Sequence, residues 1–386
     1  MCAGLRNFQS SGDEARCARV EESPTMTEES PTMNKDTMGA PEADTDAATT
    51  LRTIITSYIF SQIVRATAQL GITEHLAGGP RSVDALAEAI DADPDALRRF
   101  LRSAASLDLV RETGDTFELG PLGAAMEADH GRLKSVAMGI VGPNLTRRAE
   151  GFAEVVRAGR RVNTQVDGYE FWEYYDHHEE EAEHYAVTMS HVTAHCAQAL
   201  VRQYDFSGFK RIADVGGGHG NLLNGVLTEV PDVHGVLYER AEVNRRAKAL
   251  FTEAGTADRV ELIDGNFLQE IPGGCDLYMI KSTLCDWDDE NAARIVGNIH
   301  RAAEPGATLV VVDSMIADEV TDDEVNPVHA QQVSAIDFAV FATNGGKVRP
   351  QSEYRTMIDA AGFDVESITP FFDGFTHWNL LVAKRR

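Results

Sequence analysis

A glycine-rich turn is the most informative feature of this 386-residue chain, and it reads Val215-Gly216-Gly217-Gly218-His219-Gly220 between a predicted strand and a predicted helix. Gly216 and Gly218 let the backbone approach a ligand that a Cβ would block. Asp214 precedes the first glycine, where a dinucleotide site usually has an apolar residue. Its carboxylate can meet the ammonium group of an amino acid, so the pattern favours a ligand with an amino acid portion.

Two further polar groups follow the next two predicted strands. Glu239 closes one strand, about where a carboxylate accepts both hydroxyls of a ribose. Asp264-Gly265-Asn266-Phe267 closes the other and suits the amino group and ring of adenine. The three strand ends together therefore fit an amino acid, a ribose and an adenine.

A predicted helix, Glu179–Gln203, carries Glu180, His184, His191 and His195 close to one face. His191 and His195 have the spacing of a helical metal pair, but no HExxH pattern accompanies them, and we expect no metal site. The histidines can instead line a pocket wall, where one could contact substrate or act as a base, and His329 is a rival for that role.

Alternating strands and helices must position these groups. The predicted strands are Arg211–Val215, Gly235–Tyr238, Val260–Asp264, Cys275–Ile280, Thr308–Asp313, Phe363–Thr369 and Trp378–Ala383. This alternation predicts an α/β fold with a mainly parallel, doubly wound sheet. Residues 131–205, which precede the sheet, are expected to be helical throughout.

Three helices and a hairpin are predicted between residues 49 and 130. Ser82 and Asp93-Pro94 are helix-start signals, and Gly114-Asp115 is the turn of the hairpin. The combination is a winged helix, which can bind DNA. Because acidic residues surround the arginines of its third helix, dimerisation and pocket lining are the favoured roles.

Composition narrows the possible partners. The formal net charge is -26, and the first fifty residues contribute only ten acids and four bases to it. An acidic protein repels phosphate backbones and anionic lipid, so we expect neither nucleic acid nor membrane as a partner. Residues 1–48 are rich in Glu, Asp, Thr, Pro and Ser and are predicted to be disordered. Five cysteines without a CxxC pair, and no apolar run long enough to span a membrane, favour the cytoplasm.

The chain resembles the small-molecule O-methyltransferases of bacteria and plants that carry an N-terminal winged-helix dimerisation domain. The resemblance rests on the glycine-rich turn, on Asp276–Lys281 leading to Asp286-Trp287-Asp288-Asp289-Glu290, and on Gly345-Gly346-Lys347. It implies a class I, Rossmann-like methyltransferase domain at 206–386, a helical connector at 131–205, S-adenosylmethionine (SAM) as cofactor with S-adenosylhomocysteine (SAH) as product, and a homodimer. It further implies an aromatic or polyketide-like acceptor, as in antibiotic biosynthesis, with Lys281 beside the cofactor.

Two positions depart from the pattern of this family. Cys285 stands where members usually have the histidine that deprotonates the acceptor, and Val348 stands where many have the glutamate that orients it. The family's acid at the end of the fifth strand is retained as Asp313. The candidates for catalysis are therefore Cys285, Asp286 and Asp313, with an unaligned histidine as an alternative base.

Three hypotheses follow for the reaction. Methyl transfer can continue with a weaker base, or with an acceptor that is already ionised, a nitrogen or an enol carbon. Alternatively the fold retains SAM but catalyses hydroxylation, decarboxylation or cyclisation. A third hypothesis is a winged-helix regulator that senses SAM. The residues expected to line an apolar acceptor cavity, each of which could equally belong to the core, are Trp172, Met189, His191, His329, Phe338 and Phe341.

Overall fold

The computed structural model describes residues 45–128, 132–162, 165–318 and 327–386. Two compact units are distinguished by contacts, residues 1–55 and residues 56–386. In the first unit only 45–55 are described, and they are helical. Most of the tail predicted to be disordered thus lies outside the described residues. The prediction for 45–48 was wrong, because helix α1 already begins at Thr45.

A small helical domain with a three-stranded sheet is the first domain in the described part of the chain. Its elements are α1 (Thr45–Gln69), α2 (Ile72–Ala77), β1 (Arg81–Ser82), α3 (Val83–Ile90), α4 (Pro94–Ala105), β2 (Val110–Thr113) and β3 (Thr116–Leu119). The sheet order is β1-β3-β2, and all pairs are antiparallel. The predicted helix starts are confirmed, since Ser82 accepts from Ala85 N at 3.2 Å and Asp93 from Ala96 N at 2.8 Å.

The helix α5 (Pro121–Glu127) closes the small domain. The helical connector then contains α6 (Arg132–Ile140), α7 (Pro143–Ala149), α8 (Phe152–Ala158), α9 (Phe171–His177) and α10 (Glu179–Gln203). The prediction that the connector is helical throughout was wrong. Gly159 ends α8 in the left-handed region, and Val166 pairs with Tyr169 in an isolated bridge. The α6 and α10 helices pack closely at Gly139, where any Cβ would overlap the Thr188 side chain.

A seven-stranded sheet forms the C-terminal domain. Its strands are β4 (Arg211–Val215), β5 (His234–Glu239), β6 (Val260–Asp264), β7 (Leu277–Lys281), β8 (Thr308–Asp313), β9 (Phe363–Phe372) and β10 (His377–Arg385), in the order β6-β5-β4-β7-β8-β10-β9. The first five are parallel, and β10 runs antiparallel to both β8 and β9. The strand order changes direction at β4, which has β5 on one side and β7 on the other. The carboxyl ends of these three strands therefore open a crevice at one edge of the sheet.

Helices cover both faces of this sheet. They are α11 (Asn221–Glu229), α12 (Ala241–Glu253), α13 (Asp289–Ala302), α14 (Pro327–Thr343) and α15 (Gln351–Ala360). One core cluster includes Val236, Ile295 and Leu381, and the other, on the opposite face, includes Leu223, Leu237 and Val310. Among the described residues, no helix combines the length and the apolar character needed to cross a membrane.

Candidate functional site

Asp214 occupies the end of β4 at the centre of the crevice. Its side chain is fully buried, and neither carboxylate oxygen has a hydrogen-bond partner among the residues that the structure describes. Burial raises the pKa of Asp214 to about 7, with the nearby backbone N–H of Leu223 and the charge of Lys281 opposing the shift and Glu239 adding to it. A buried carboxylate without partners is costly, so the position suits a cationic ligand group.

The glycine-rich turn wraps around this carboxylate. Gly216 and Gly218 have φ of 69° and 58°, a left-handed conformation that favours glycine. Gly216 N donates to Tyr238 O at 2.9 Å, and Gly218 N donates to Glu239 Oε2 at 3.1 Å. A Cβ on Gly218 would meet nothing within 4 Å, so this part of the turn faces open space. The structure thus brings together the two predicted ligand-binding positions at the ends of β4 and β5.

The end of β6 supplies the third group. Asn266 is exposed and its Oδ1 accepts from Leu268 N at 2.9 Å, which forms the turn after the strand. Phe267 is half-buried and meets Trp287 edge to face at 5.9 Å. Asn298 holds this turn by donating to the Phe267 carbonyl at 2.7 Å. One ring face and one amide therefore flank the crevice beside β6.

Lys281 ends β7. Its ammonium donates to Ser282 Oγ at 3.1 Å and lies 4.4 Å from the centre of the Trp378 ring, a cation–π contact. Its charge also opposes the rise in the pKa of Asp214, Asp286 and Asp313. Lys281 is accordingly the cation that these three buried acids share.

The three candidates for catalysis lie together after β7 and β8, but in different states. Asp313 is 2% exposed, and each of its carboxylate oxygens accepts a hydrogen bond. Tyr354 donates to Oδ2 at 2.7 Å, and Ser314 N donates to Oδ1 at 3.0 Å. Burial, together with the Asp313 and Asp286 carboxylates, raises the pKa of the Cys285 thiol well above 9. The thiol therefore remains neutral at physiological pH.

Asp286 differs from both neighbours. Its Oδ1 accepts from Asn344 Nδ2 at 3.0 Å, while Oδ2 has no hydrogen bond to any described residue, and the residue as a whole is half-buried. Burial raises the pKa of Asp286 to about 7, against the effect of the Asn344 hydrogen bond. It therefore combines an open oxygen with a pKa near neutrality.

A segment after α14, Asn344–Arg349, is fastened to the loop that carries Cys285 and Asp286. Lys347 N donates to Cys285 O at 2.8 Å. Arg349 is 1% exposed and donates to Leu284 O and Trp287 O at 2.9 and 2.8 Å and to Asp289 at 2.9 Å. We call Asn344–Arg349 the strap. Sequence reasoning identified its glycines but missed Arg349, because its carbonyl partners lie about sixty residues away.

A small apolar cluster contains Cys285 and Val348, the two positions expected to depart from the pattern of the family. Cys285 and Val348 are both buried and pack with Val333, and with the partly buried Ile316 and Val340. Val348 N donates to Asp337 Oδ1 at 2.9 Å, so an acid is near this position but is bound to the backbone. The two departures thus form one continuous packed unit.

Aromatic rings of α9 and α10 form a cluster near Asp286. Trp172 and Tyr175 lie 6.2 and 4.9 Å from Tyr185, ring centre to ring centre. The pKa of Tyr185 is raised well above 10, first by burial and then by the Asp286 carboxylate. Trp172, which the sequence analysis expected in the acceptor cavity, belongs to this cluster. Sequence reasoning did not name Tyr175 and Tyr185, although the spacing of Trp172 and Tyr175 on one helical face was a usable signal.

The other predicted substrate residues are distributed more widely. Met189 is half-buried on α10, and His191 Nδ1 lies 2.8 Å from Ser135 Oγ on α6. Phe341 packs with Phe338 on α14 at 6.3 Å, and Phe338 meets Phe152 at 4.9 Å, edge to face. The backbone of His329 belongs to α14, and its side chain is outside the part of the chain that the structure describes. Within the described part of the chain, no group of three or more His, Cys, Asp or Glu is arranged to hold a metal ion.

Two further cysteines are buried thiols. Cys196 and Cys275 are free and buried, and burial raises the pKa of these thiols to about 12 and about 11. Both side chains are therefore neutral at physiological pH.

Comparison with protein families assigns both halves of the chain. Residues 150–364 match the model of an O-methyltransferase domain, and residues 53–127 match that of an O-methyltransferase dimerisation domain. The first match alone spans more than half of the chain.

Individual relatives come from antibiotic biosynthesis. The mitomycin biosynthesis 6-O-methyltransferase of Streptomyces lavendulae is 32% identical over 313 residues, 80% of this chain and 87% of that one. The aclacinomycin 10-hydroxylase of Streptomyces purpurascens is 28% identical over 79% of this chain and 81% of its own. Among solved structures, the SAH-bound methyltransferase of calicheamicin biosynthesis superposes with a TM-score of 0.71 at 29% identity, covering 89% of this chain and 99% of that one.

Proposed function

Because this chain belongs to the family of SAM-dependent O-methyltransferases that act on small natural-product acceptors, we propose that it methylates an aromatic hydroxyl with Asp286 in place of the usual histidine base. The observation that carries this proposal is the state of Asp286, half-buried with one open oxygen and a pKa of about 7. A base is most effective when its pKa lies near the operating pH.

We assign the cofactor site to the ends of the first three strands. The buried, unpartnered carboxylate of Asp214 fits the ammonium group of the methionine portion of SAM. Gly216 and Gly218 give that portion close access to the backbone, and Glu239 is placed for the ribose hydroxyls. Asn266 and Phe267 flank the adenine, with Lys281 on the acceptor side of the cofactor.

SAM, when bound, supplies a methyl group on a positively charged sulfur and so needs little further activation. The protein's tasks are to align the acceptor oxygen and to remove its proton. Asp286 Oδ2 takes the proton, Asn344 holds the other oxygen, and Asp313 keeps the Cys285 thiol in place beside them. Cys285 then acts as a neutral packing group rather than as a base.

The acceptor lies against the aromatic wall of Trp172, Tyr175 and Tyr185 in this proposal, next to Asp286. Flat rings in an apolar pocket favour aromatic or polyketide-like acceptors. The other residues that we propose for this pocket, as the sequence predicted, are Met189, His191, His329 and Phe341.

We also propose that the working unit is a homodimer with the predicted division at residues 130 and 205. Support comes from the dimerisation-domain match and from apolar side chains that α1 leaves exposed, among them Tyr58 at 69% and Ile59 at 43%. Exposed large apolar groups on one helix are typical of protein–protein interfaces.

A second candidate is a reaction other than methyl transfer with SAM retained. It is favoured by the apolar cluster that replaces the usual base, and by the similarity to a relative that is named as a hydroxylase. In that case SAM would be bound but not consumed.

One experiment separates the two candidates. Purified protein is incubated with SAM labelled in its methyl group and with a small-molecule extract of an antibiotic-producing streptomycete, and products are read by mass spectrometry. Methyl transfer predicts a product that carries the label and is absent from an Asp286→Asn control. A changed product without label, with SAM intact, would overturn the first candidate in favour of the second.

A further inference from the structure

Arg148 on α7 is a buried cation outside the catalytic groups described above. It is 4% exposed, and its guanidinium carbon lies 5.6 Å from the centre of the Phe171 ring. Its Nε donates to Asn144 Oδ1 at 2.9 Å and its Nη2 to the Tyr169 carbonyl at 3.1 Å. Both partners are neutral, although buried charges in proteins are usually paired with an opposite charge.

The third nitrogen of this guanidinium is unsatisfied. Nη1 is buried and has no hydrogen-bond partner among the described residues. Burial lowers the pKa of Arg148, and the neighbouring Glu170 acts in the opposite direction, but Glu170 forms its ion pair with Arg161 at 3.3 Å. A guanidinium remains charged in proteins, so Nη1 offers two buried donors without an acceptor.

The location of Arg148 connects it with the acceptor pocket. Phe171, on which it packs, meets Trp172 at 4.8 Å and Tyr185 at 6.3 Å, and Tyr185 neighbours Asp286. Tyr175 is near enough to affect the pKa of Arg148 as well. The cation and the proposed base thus neighbour two rings of one aromatic cluster, Phe171 and Tyr185.

We infer that Nη1 of Arg148 binds a carboxylate of the acceptor, which makes the substrate an aromatic hydroxy acid with its hydroxyl directed at Asp286. The inference rests on the proposed function for the identity of the reacting end only. Guanidinium–carboxylate hydrogen bonds are the strong, charge-assisted kind, and burial strengthens them. Because Arg148 and Asp286 neighbour different rings of the cluster, Phe171 and Tyr185, we place the carboxylate and the hydroxyl on different rings of the acceptor.

The test compares three probes that differ only at the anionic end: 6-hydroxy-2-naphthoate, its methyl ester and 2-naphthol. Binding to the full-length protein loaded with SAH is measured by calorimetry, so that turnover is not needed. We expect the carboxylate to bind at least about tenfold more tightly than either neutral probe. Equal affinities for the three would overturn the inference without any variant.

Variants then assign the effect to one residue. Arg148→Met should abolish the preference for the carboxylate, and Arg148→Lys should retain part of it, because lysine keeps the charge but loses the planar fork. Arg147→Met is the matched control, since that arginine is half-exposed and pairs with Asp167 on the surface. A carboxylate preference that persists in Arg148→Met would contradict the assignment.

Failure of the proposed methyl transfer and failure of the Arg148 site give different results. Labelled methyl transfer to 6-hydroxy-2-naphthoate is measured in parallel samples of the same proteins, in which SAM labelled in its methyl group replaces SAH. Carboxylate preference without transfer would count against methylation and leave the Arg148 site standing, whereas transfer to 2-naphthol at equal efficiency would retain methylation and remove the site.

Discussion

At the scale of single residues, the proposed chemistry depends on three acids near Lys281. Asp214, Asp286 and Asp313 differ in their hydrogen-bond partners among the described residues: none, one amide, and a tyrosine with a backbone N–H. The end of a strand pointed to Asp214, and the resemblance to the family pointed to Asp286 and Asp313. Their partners could not be predicted, because Asn344 and Tyr354 come from segments distant in sequence.

Asp286→Asn should lower kcat by about 10²–10⁴, the usual contribution of a general base. In the unaltered enzyme kcat should rise with pH through about 7, since the carboxyl must be ionised to accept a proton and its pKa is raised to about 7. Rates from pH 5.5 to 9 test both points. Asp313→Asn serves as the contrast, and we expect it to lower the melting temperature through loss of the Tyr354 bond. A pH-independent rate in the unaltered enzyme would exclude Asp286 as the base.

Cys285→Ser should retain most activity and leave the pH profile unchanged. The thiol is neutral because its pKa is raised well above 9, so a hydroxyl of similar size can replace it. Steady-state kinetics on both proteins at pH 7 and pH 9 provide the measurement. Total loss of activity, with SAH affinity intact, would show that the sulfur takes part in the chemistry.

SAM should bind about tenfold more tightly at pH 8 than at pH 6, because only ionised Asp214 attracts its ammonium and the pKa of Asp214 is about 7. The stability of the SAM-free protein changes with pH in the opposite direction to the affinity for SAM. A carboxyl with a raised pKa stabilises the folded state while protonated, and that contribution is lost as pH rises through about 7. Calorimetric titrations at both pH values, with Asp214→Asn as control, test the linkage. Equal affinities at the two pH values would contradict it.

At the scale of elements, the sheet was more predictable than the segments that close the site. The β4, β6 and β8 strands have the predicted bounds, and the apolar runs of β4 and β8 are buried on both faces. The β9 and β10 strands each extend beyond the prediction as one long antiparallel pair. The contacts of the strap and of α9 could not be predicted, since glycines and aromatic residues alone do not indicate which loop they pack against.

Gly346→Ala should destabilise the protein by about 1–3 kcal/mol, the range for overpacked positions. A Cβ there would overlap the Cys285 carbonyl oxygen and crowd Asp286 Cα at 3.0 Å, so the strap must move away from the loop with the base. Thermal unfolding and kcat are both measured. Gly208→Ala is the matched control, because a Cβ at Gly208 meets nothing within 4 Å. Unchanged stability in Gly346→Ala would mean that the strap does not hold the loop.

At the scale of the whole molecule, the match to a dimerisation domain bears on the oligomeric state. Periodicity indicated the N-terminal winged helix, and the glycine-rich turn together with the resemblance to the family indicated the methyltransferase domain. The residues of the proposed two-fold interface could not be predicted, because a helix with apolar residues on several sides does not indicate its partner.

Tyr58→Glu combined with Ile59→Glu should convert the protein from a dimer to a monomer of 42.1 kDa. Charges placed on side chains that are 69% and 43% exposed would have to be desolvated in an interface, but not in an isolated chain. Light scattering after size exclusion gives the mass. Val156→Glu, at a side chain that is 66% exposed on α8, is the control. A double variant that stays dimeric would place the interface elsewhere.

The cofactor site proposed at the ends of β4, β5 and β6 has a consequence for turnover. The groups proposed for it, Asp214, Glu239 and Phe267, would face the amino acid, ribose and adenine, which are identical in SAM and in the spent product SAH. Contacts that do not distinguish donor from product lower both free energies alike and leave the chemical barrier unchanged. Product inhibition follows directly: the spent donor competes for the crevice on nearly equal terms, and the rate in a cell depends on the ratio of the two compounds rather than on SAM alone.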